Sequence, residues 1–140
     1  MQKLQSLARD AEQREAQALA RCQQNLDSGL TQLKDLRRYR EEYRESMSSR
    51  CGHSALRWQE YQRFIERLDK AIHAQEASAI EAEVARDRQR RAWLEKRQRL
   101  DSLTQLVERR SDEERREDDR REQQRLDAMA SDAAFRRGRS

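Results

Sequence analysis

An uninterrupted heptad spacing in the second half of the chain limits what the chain can fold into. Counting from Trp58 in alternate steps of three and four residues reaches Val107, and most of the positions visited are apolar. This spacing brings the positions to one side of an α-helix and predicts a coiled-coil seam. Polar residues in the middle of the seam lower stability but help to fix the pairing register: Gln75, Arg86, Gln89 and Lys96.

The first half of the chain carries a matching stripe: Leu19, Cys22, Leu26, Gly29, Leu33, Leu36, Arg40, Tyr43 and Met47. Closer to the N-terminus we expect Leu4, Leu7 and Ala11 to continue it after a shift in phase. Glycine within a helix costs about 1 kcal/mol relative to alanine. We therefore expect a partner helix to approach closely at Gly29.

The chain has no proline, and "SMSSRCGHS" at residues 46–54 is its one credible break. Ser48, Ser49 and Gly52 favour a turn there, and the Ser54 hydroxyl is placed to cap a following helix. The pattern predicts a single coiled-coil domain over residues 1–140. Its expected parts are helix one over about 2–48, a turn over about 49–54, helix two over about 55–133 and a frayed tail over 134–140.

A short break between two long helices favours an antiparallel hairpin. Folding near residue 52 sets Leu26 opposite Ala79 and Leu33 opposite Ile72. The predicted fold class is all-α, with two long helices in an antiparallel coiled coil. The predicted seam contains Leu26, Leu33, Leu36, Tyr43, Met47, Ile65, Ile72, Ala79, Trp93 and Leu100.

The second helix is longer than the first, so its C-terminal part is expected to be a charged overhang. The segment "ERRSDEERREDDRREQQR" at 108–125 holds eight acidic and seven basic residues and nothing apolar. Opposite charges three and four positions apart support a helix by about 0.2–0.5 kcal/mol per pair. The segment is either a solvated helix or one that acquires a partner, and self-association through it stays open.

Composition argues against a compact globule, because 41% of the residues are charged and the mean hydropathy is −1.35. No apolar run approaches the roughly 20 residues that span a bilayer, and the N-terminus lacks the apolar stretch of a signal peptide. We expect a soluble, cytoplasmic protein.

The sequence gives no reason to expect catalytic, cofactor or metal sites. Three isolated glycines cannot form a phosphate-binding loop, and Cys51 with His53 falls short of the roughly four ligands of a zinc site. The 27 arginines and a pI near 9.4 leave a nucleic-acid-binding coiled coil as an alternative. Most arginine pairs have acidic neighbours, so nucleic acid is not the expected partner.

Apolar bulk gathers at the predicted tip of the hairpin, where five of the seven aromatic residues fall: Tyr39, Tyr43, Trp58, Tyr61 and Phe64. Phe64 lies one position before the seam residue Ile65 and therefore on its flank. A two-helix hairpin cannot bury all five rings, and an exposed apolar patch often marks an interaction surface. The alternative is a purely structural coiled coil whose aromatics only close the turn.

Three segments resemble the FliJ family of the flagellar type III export apparatus. "LRWQEYQRFIERLDKAI" is similar to the family's R-W-x-x-Y-x-x-F-I-x-x-L-x-K-A-I segment, and "LKDLRRYREEYRESM" to its L-x-x-Y-x-x-E-Y-R run. "WLEKRQRL" is similar to its W-x-x-K-x-Q-R-L. The resemblance covers about residues 33–103, and Arg57, Trp58, Tyr61, Phe64 and Lys70 at fixed spacing go beyond heptad periodicity.

The resemblance implies a non-enzymatic stalk, similar to a rotary ATPase gamma subunit, that engages the hexameric export ATPase. It further implies binding to the cytoplasmic domain of the membrane export gate and to export chaperones, at the inner membrane of the flagellar base. Carried over to this sequence, the gate-binding residues are Trp58, Tyr61, Phe64 and Leu68. The equivalent stalk of a virulence injectisome remains an alternative.

Overall fold

Two α-helices account for almost all of the residues that the structure, a computed structural model, describes, namely 2–49 and 54–139. Helix α1 spans Gln2–Ser48, and helix α2 spans Ala55–Gly138. The predicted all-α class with a longer second helix is confirmed. Helix α2 continues five residues beyond position 133, near which the sequence pattern ended it.

A serine side chain forms a hydrogen bond with the backbone at each of the two helix ends beside the break. The Ser54 hydroxyl accepts a hydrogen bond from the backbone N–H of Arg57 at 3.3 Å, which confirms its predicted capping role. At the end of α1, the Ser48 hydroxyl donates to the Glu45 carbonyl at 3.0 Å. Positions 50–53, which include Cys51, Gly52 and His53, lie outside the described residues.

The chain divides into two compact units. We call Glu12–Lys96 the hairpin unit, since it contains both helices around the break. We call Met1–Ala11 together with Arg97–Ser140 the overhang unit, since it contains the start of α1 and the long C-terminal part of α2.

Hydrogen bonds between the helices of the hairpin unit fix their direction and register. The Trp93 indole N–H donates to the Glu12 carboxylate at 2.9 Å, and the Gln75 amide donates to the Gly29 carbonyl at 3.1 Å. The α2 residue with the higher number, Trp93, pairs with the α1 residue that has the lower number, Glu12. The two helices are therefore antiparallel. The two residue numbers sum to 105 in the first pair and to 104 in the second. The predicted pairs Leu26–Ala79 and Leu33–Ile72 also sum to 105, so the hairpin fold is confirmed.

The core of the hairpin unit is a single narrow row of apolar side chains. Its buried members are Leu26, Leu33, Leu68, Ile72 and Ala79, and Ile72 is the most enclosed at 2% exposure. Of the other residues expected in the seam, those that are half-buried are Leu36, Tyr43, Met47, Ile65, Trp93 and, in the overhang unit, Leu100.

Polar seam residues of the hairpin unit are bonded across the interface. The Gln89 amide donates to the Glu15 carboxylate and to the Glu15 backbone carbonyl. Gln75 and Gln89 are half-buried, so water would replace these bonds only in part. Bonds between fixed positions therefore favour this register over others, as polar seam residues commonly do.

Ion pairs line the flanks of the same interface. Arg40 contacts Asp69 at 2.8 Å, and Arg37 contacts Glu76 at 3.0 Å. The hydrogen bond from Arg37 lowers the pKa of Glu76 below its usual value. Ion pairs as accessible to solvent as Arg37–Glu76 add little to stability.

In the overhang unit, the start of α1 contacts α2 through small and polar residues. Gln5 donates to the Thr104 hydroxyl at 3.2 Å, and Ala8 is buried. Leu4 and Leu7 are 52% and 54% exposed, so the expected phase shift was wrong. Counting back from Leu19 in steps of four and three residues reaches Ala8 and Gln5. The heptad register therefore continues to the start of α1, although Ala8 is small and Gln5 is polar.

The rest of the overhang unit is an uncovered helix. Every described residue from 108 to 139 is exposed. Within the described part of the chain, no helix is both long and apolar enough to cross a membrane.

We predict that Ile72→Ala lowers the free energy of unfolding by about 2–3 kcal/mol, because it removes the most enclosed side chain of the seam. The measurement is urea unfolding followed by circular dichroism. The matched control is Ile80→Ala, eight positions along α2, where 62% exposure predicts a change within about 0.5 kcal/mol. Equal losses for the two variants would contradict a core confined to the seam.

We predict that Gly29→Ala stabilises the hairpin by about 0.5–1 kcal/mol. An added Cβ would meet only the Gln75 amide nitrogen, at an ordinary 3.5 Å, so the expected close helix approach does not require glycine here. A higher urea midpoint would support this. A lower midpoint would mean that the methyl group disrupts the hydrogen bond from Gln75 to the Gly29 carbonyl.

Candidate partner-binding surface

Five aromatic side chains of the hairpin unit lie together beside the break, and we call them the tip cluster: Tyr39, Tyr43, Trp58, Tyr61 and Phe64. Two come from the last turns of α1, four positions apart. Three come from the first turns of α2 at intervals of three. Spacings of three and four keep side chains on one side of a helix, so each helix presents a short aromatic row.

The rings of the tip cluster form a continuous series across the two helices. Trp58 stacks on Tyr61 with centroids 5.3 Å apart, and Tyr61 stacks on Tyr43 at 5.5 Å. Phe64 contacts Tyr43 at 4.4 Å and meets Tyr39 edge-on at 5.9 Å. Aromatic pairs at these distances are worth about 0.5–1.5 kcal/mol beyond their buried area.

The structure places Phe64 differently from the exposed flank position that the sequence suggested. Phe64 is half-buried, because antiparallel pairing brings the flank of α2 against Tyr39 and Tyr43 on the flank of α1. The exposed members are instead the two ends of the series, Trp58 and Tyr39, each 50% exposed. Trp58 is the first residue of the heptad pattern, yet it is half-exposed rather than buried in the seam.

The other residues of the expected gate-binding surface differ in accessibility. Leu68 is only 8% exposed and belongs to the core, and Tyr61 is half-buried within the ring series. Leu56, which was not among the predicted gate-binding residues, lies in the first turn of α2 and is 67% exposed. Arg67 sets its guanidinium carbon 5.9 Å from the centre of the Phe64 ring, which adds a positive charge to the rim.

A shallow groove of about 420 Å³ adjoins the tip cluster, lined by Gln32, Asp35, Leu36, Tyr39 and Gln75. The sequence pattern did not indicate this groove. Gln32 and Tyr39 are seven residues apart and therefore share a side of α1, which is the signal that could have found it. The lining combines the apolar side chain of Leu36 and the Tyr39 ring with amide and carboxylate groups.

The described residues contain no group of three or more His, Cys, Asp or Glu side chains placed to hold a metal ion. The tip cluster itself offers aromatic faces and phenolic hydroxyls. Such side chains dominate the energetically important contacts of protein interfaces. The tip cluster is therefore the candidate surface for a protein partner.

Comparison with known proteins gives the same family from two directions. The family profile described as "Flagellar FliJ protein" matches residues 1–139. Two proteins named "Flagellar FliJ protein" are similar to the chain. The one from Escherichia coli (strain K12) is 33% identical over 138 residues, covering 96% of this chain and 92% of the relative. The one from Salmonella typhi is 29% identical over 124 residues, covering 87% and 84%. The profile spans nearly the whole sequence, and the chain therefore belongs to the family of flagellar FliJ proteins.

Proposed function

We propose that this protein is a non-enzymatic component of the flagellar type III protein export apparatus. In this role it is a stalk that engages the hexameric export ATPase and links it to the export gate and to substrate chaperones. The proposal joins the family membership to what the resemblance of the hairpin segments implies. It places the protein in the cytoplasm, at the inner membrane of the flagellar base.

The observation that carries the stalk role is the uncovered C-terminal part of α2. From residue 108 to residue 139 every described side chain is exposed, although the segment stays helical. A helix of this length extends about 48 Å at 1.5 Å per residue. Such a single rod suits insertion into the centre of a ring.

The tip cluster supports the gate-binding part of the proposal. Trp58 and Tyr39 are half-exposed while their neighbours hold them in fixed positions through ring contacts. Pre-positioned aromatic side chains lose little conformational freedom on binding and are typical interface anchors. Phe64 would act both as a contact and as the support of Tyr39.

The alternatives are less well supported. Both relatives are named as flagellar proteins, which favours the flagellar over the injectisome branch. Arginines of the overhang pair with acidic neighbours, as in Arg115 with Asp112 and Arg125 with Glu122. These pairs weaken the basic surface that nucleic acid would need.

We predict that the protein raises the turnover of the cognate flagellar export ATPase. The test titrates the purified chain against the ATPase at fixed salt and follows phosphate release. Saturation near one chain per six ATPase subunits is expected if a single stalk occupies each hexamer.

Phe64→Ala serves as a control in the same titration, because a change at the tip should leave stimulation unaltered if the overhang makes the ATPase contact. Absence of stimulation by the unaltered chain, with an ATPase that assembles normally, would remove the stalk role and leave gate binding as the proposal.

We predict that Phe64→Ala weakens binding to the cytoplasmic domain of the export gate at least about tenfold, equivalent to about 1.4 kcal/mol. The loss combines a missing contact with a less firmly held Tyr39. Isothermal titration calorimetry measures the affinity.

Leu94→Ala is the matched control for the gate experiment, since Leu94 is an exposed apolar residue of α2 remote in sequence from the tip cluster. Helicity and the urea midpoint are recorded for both variants to separate lost contact from unfolding. Unchanged affinity in a folded Phe64→Ala variant would exclude the tip cluster as the gate-binding surface.

A further inference from the structure

The overhang has a charge pattern that is complementary to itself. Basic side chains fall at 109–110, 115–116, 120–121 and 125, and acidic side chains at 108, 112–114, 117–119 and 122. Runs of two or three like charges occupy much of the circumference of a helix at each level. The overhang is thus a rod with alternating positive and negative bands.

Many of these charges form no ion pair with any residue that the structure describes. Arg115, Arg120, Arg121 and Arg125 form ion pairs along the helix. By contrast, the structure gives no ion pair with any described residue for a second set of charges: Glu108, Arg109, Arg110, Glu113, Glu114, Arg116, Asp118 and Asp119.

We infer that the free chain pairs with a second copy of itself through this overhang, in antiparallel orientation, with the two-fold axis between Arg116 and Glu117. In this alignment position i of one copy lies at the height of position 233 minus i of the other. Of the nine position pairs within 108–125, five place opposite charges at the same height along the two rods and one, Glu114 with Asp119, places like charges there. At 3.6 residues per turn, the pairs Glu108–Arg125 and Arg115–Asp118 also lie on the side of the helix that carries Leu126 and Met129. A parallel pairing in register would set every charge against its own kind.

Apolar side chains on both sides of the charged segment support the same register. Leu126 and Met129 are 49% and 61% exposed. In the inferred pairing they reach the heights of Val107 and Thr104 in the other copy, both of which are half-buried. A shift of five residues also aligns opposite charges, but it sets Leu126 and Met129 against Ser102 and Arg99. The apolar residues therefore select one register.

The start of α1 adds to the surface that the second copy would cover. Gln5 bonds to Thr104, so Leu4 and Leu7 lie near the height that Met129 of the second copy reaches. Both leucines are half-exposed in the single chain. A second overhang laid here would cover apolar groups that face water in one chain alone.

The pairing is isologous, because each copy contributes the same surface and the contact closes after two chains. Ion pairs between exposed charges are weakened by salt, since the screening length falls from about 10 Å at 0.1 M to about 3 Å at 1 M. The dimer should therefore be favoured at low salt and dissociate as salt rises.

A charge-swap experiment with the full chain tests the pairing. Arg115→Glu/Arg116→Glu and Glu117→Arg/Asp118→Arg each set like charges together near the axis, and each variant alone should be monomeric in sedimentation velocity at low salt. An equimolar mixture of the two restores every opposite pairing at these positions and should form dimers. Monomers in the mixture, or dimers in either variant alone, would overturn the inference.

Orientation is measured by pulsed electron resonance between nitroxides at Ser111→Cys or Ser131→Cys, each with Cys22→Ala and Cys51→Ala. The inferred pairing predicts axial separations of about 17 Å at 111 and about 44 Å at 131, at 1.5 Å per residue. Equal short separations at the two sites would show parallel pairing and overturn the inference.

A last arm tests the apolar contacts. Leu126→Asp/Met129→Asp should weaken the dimer at least tenfold, while Leu56→Asp, an exposed leucine of the hairpin unit, should leave it unchanged. Circular dichroism checks that both variants stay helical. A dimer unaffected by Leu126→Asp/Met129→Asp, or an unaltered chain that is monomeric at all concentrations at low salt, would exclude this register.

Discussion

The packing of one narrow apolar row between two antiparallel helices is the interaction on which the rest of the structure depends. A chain with 41% charged residues has little else to bury. Leu26, Leu33, Leu68 and Ile72 are its largest buried side chains. Helical stability in proteins comes mainly from packing of this kind rather than from intrinsic propensity. Loss of a single member is therefore costly, whereas most of the surface tolerates change.

Polar contacts within that row determine which residues meet. Gln75 bonds to Gly29, Gln89 to Glu15 and Trp93 to Glu12, and each bond requires one register. A slip by one heptad would leave these groups unsatisfied and would also separate Tyr43 from Tyr61 and Phe64. The tip cluster thus exists because polar groups elsewhere in the hairpin unit hold the helices in place.

The two units differ in how much of their helical surface is covered by other parts of the chain. The hairpin unit buries a row of apolar side chains between its helices, and within its aromatic series the two ends, Tyr39 and Trp58, are half-exposed. The overhang unit keeps a long stretch of α2 without any covering element. Since a surface engaged by one partner is closed to another, a second copy and an ATPase ring would compete for the same helix.

Local pattern was enough to determine the two helices, their break, the capping role of Ser54 and the antiparallel register, because heptad spacing and turn residues act over a few positions. The resemblance of the segment around Trp58 and Phe64 gave the family. Tertiary structure alone decided how exposed each aromatic is: Phe64, off the seam by spacing, is half-buried because the flank of α1 packs against it. It also decided that Ala8 rather than Leu7 is buried, since the heptad register that continues along α1 overrides the local preference for burying leucine. Periodicity shows which residues share one side of a helix, whereas their burial depends on which side chains of the other helix pack against them.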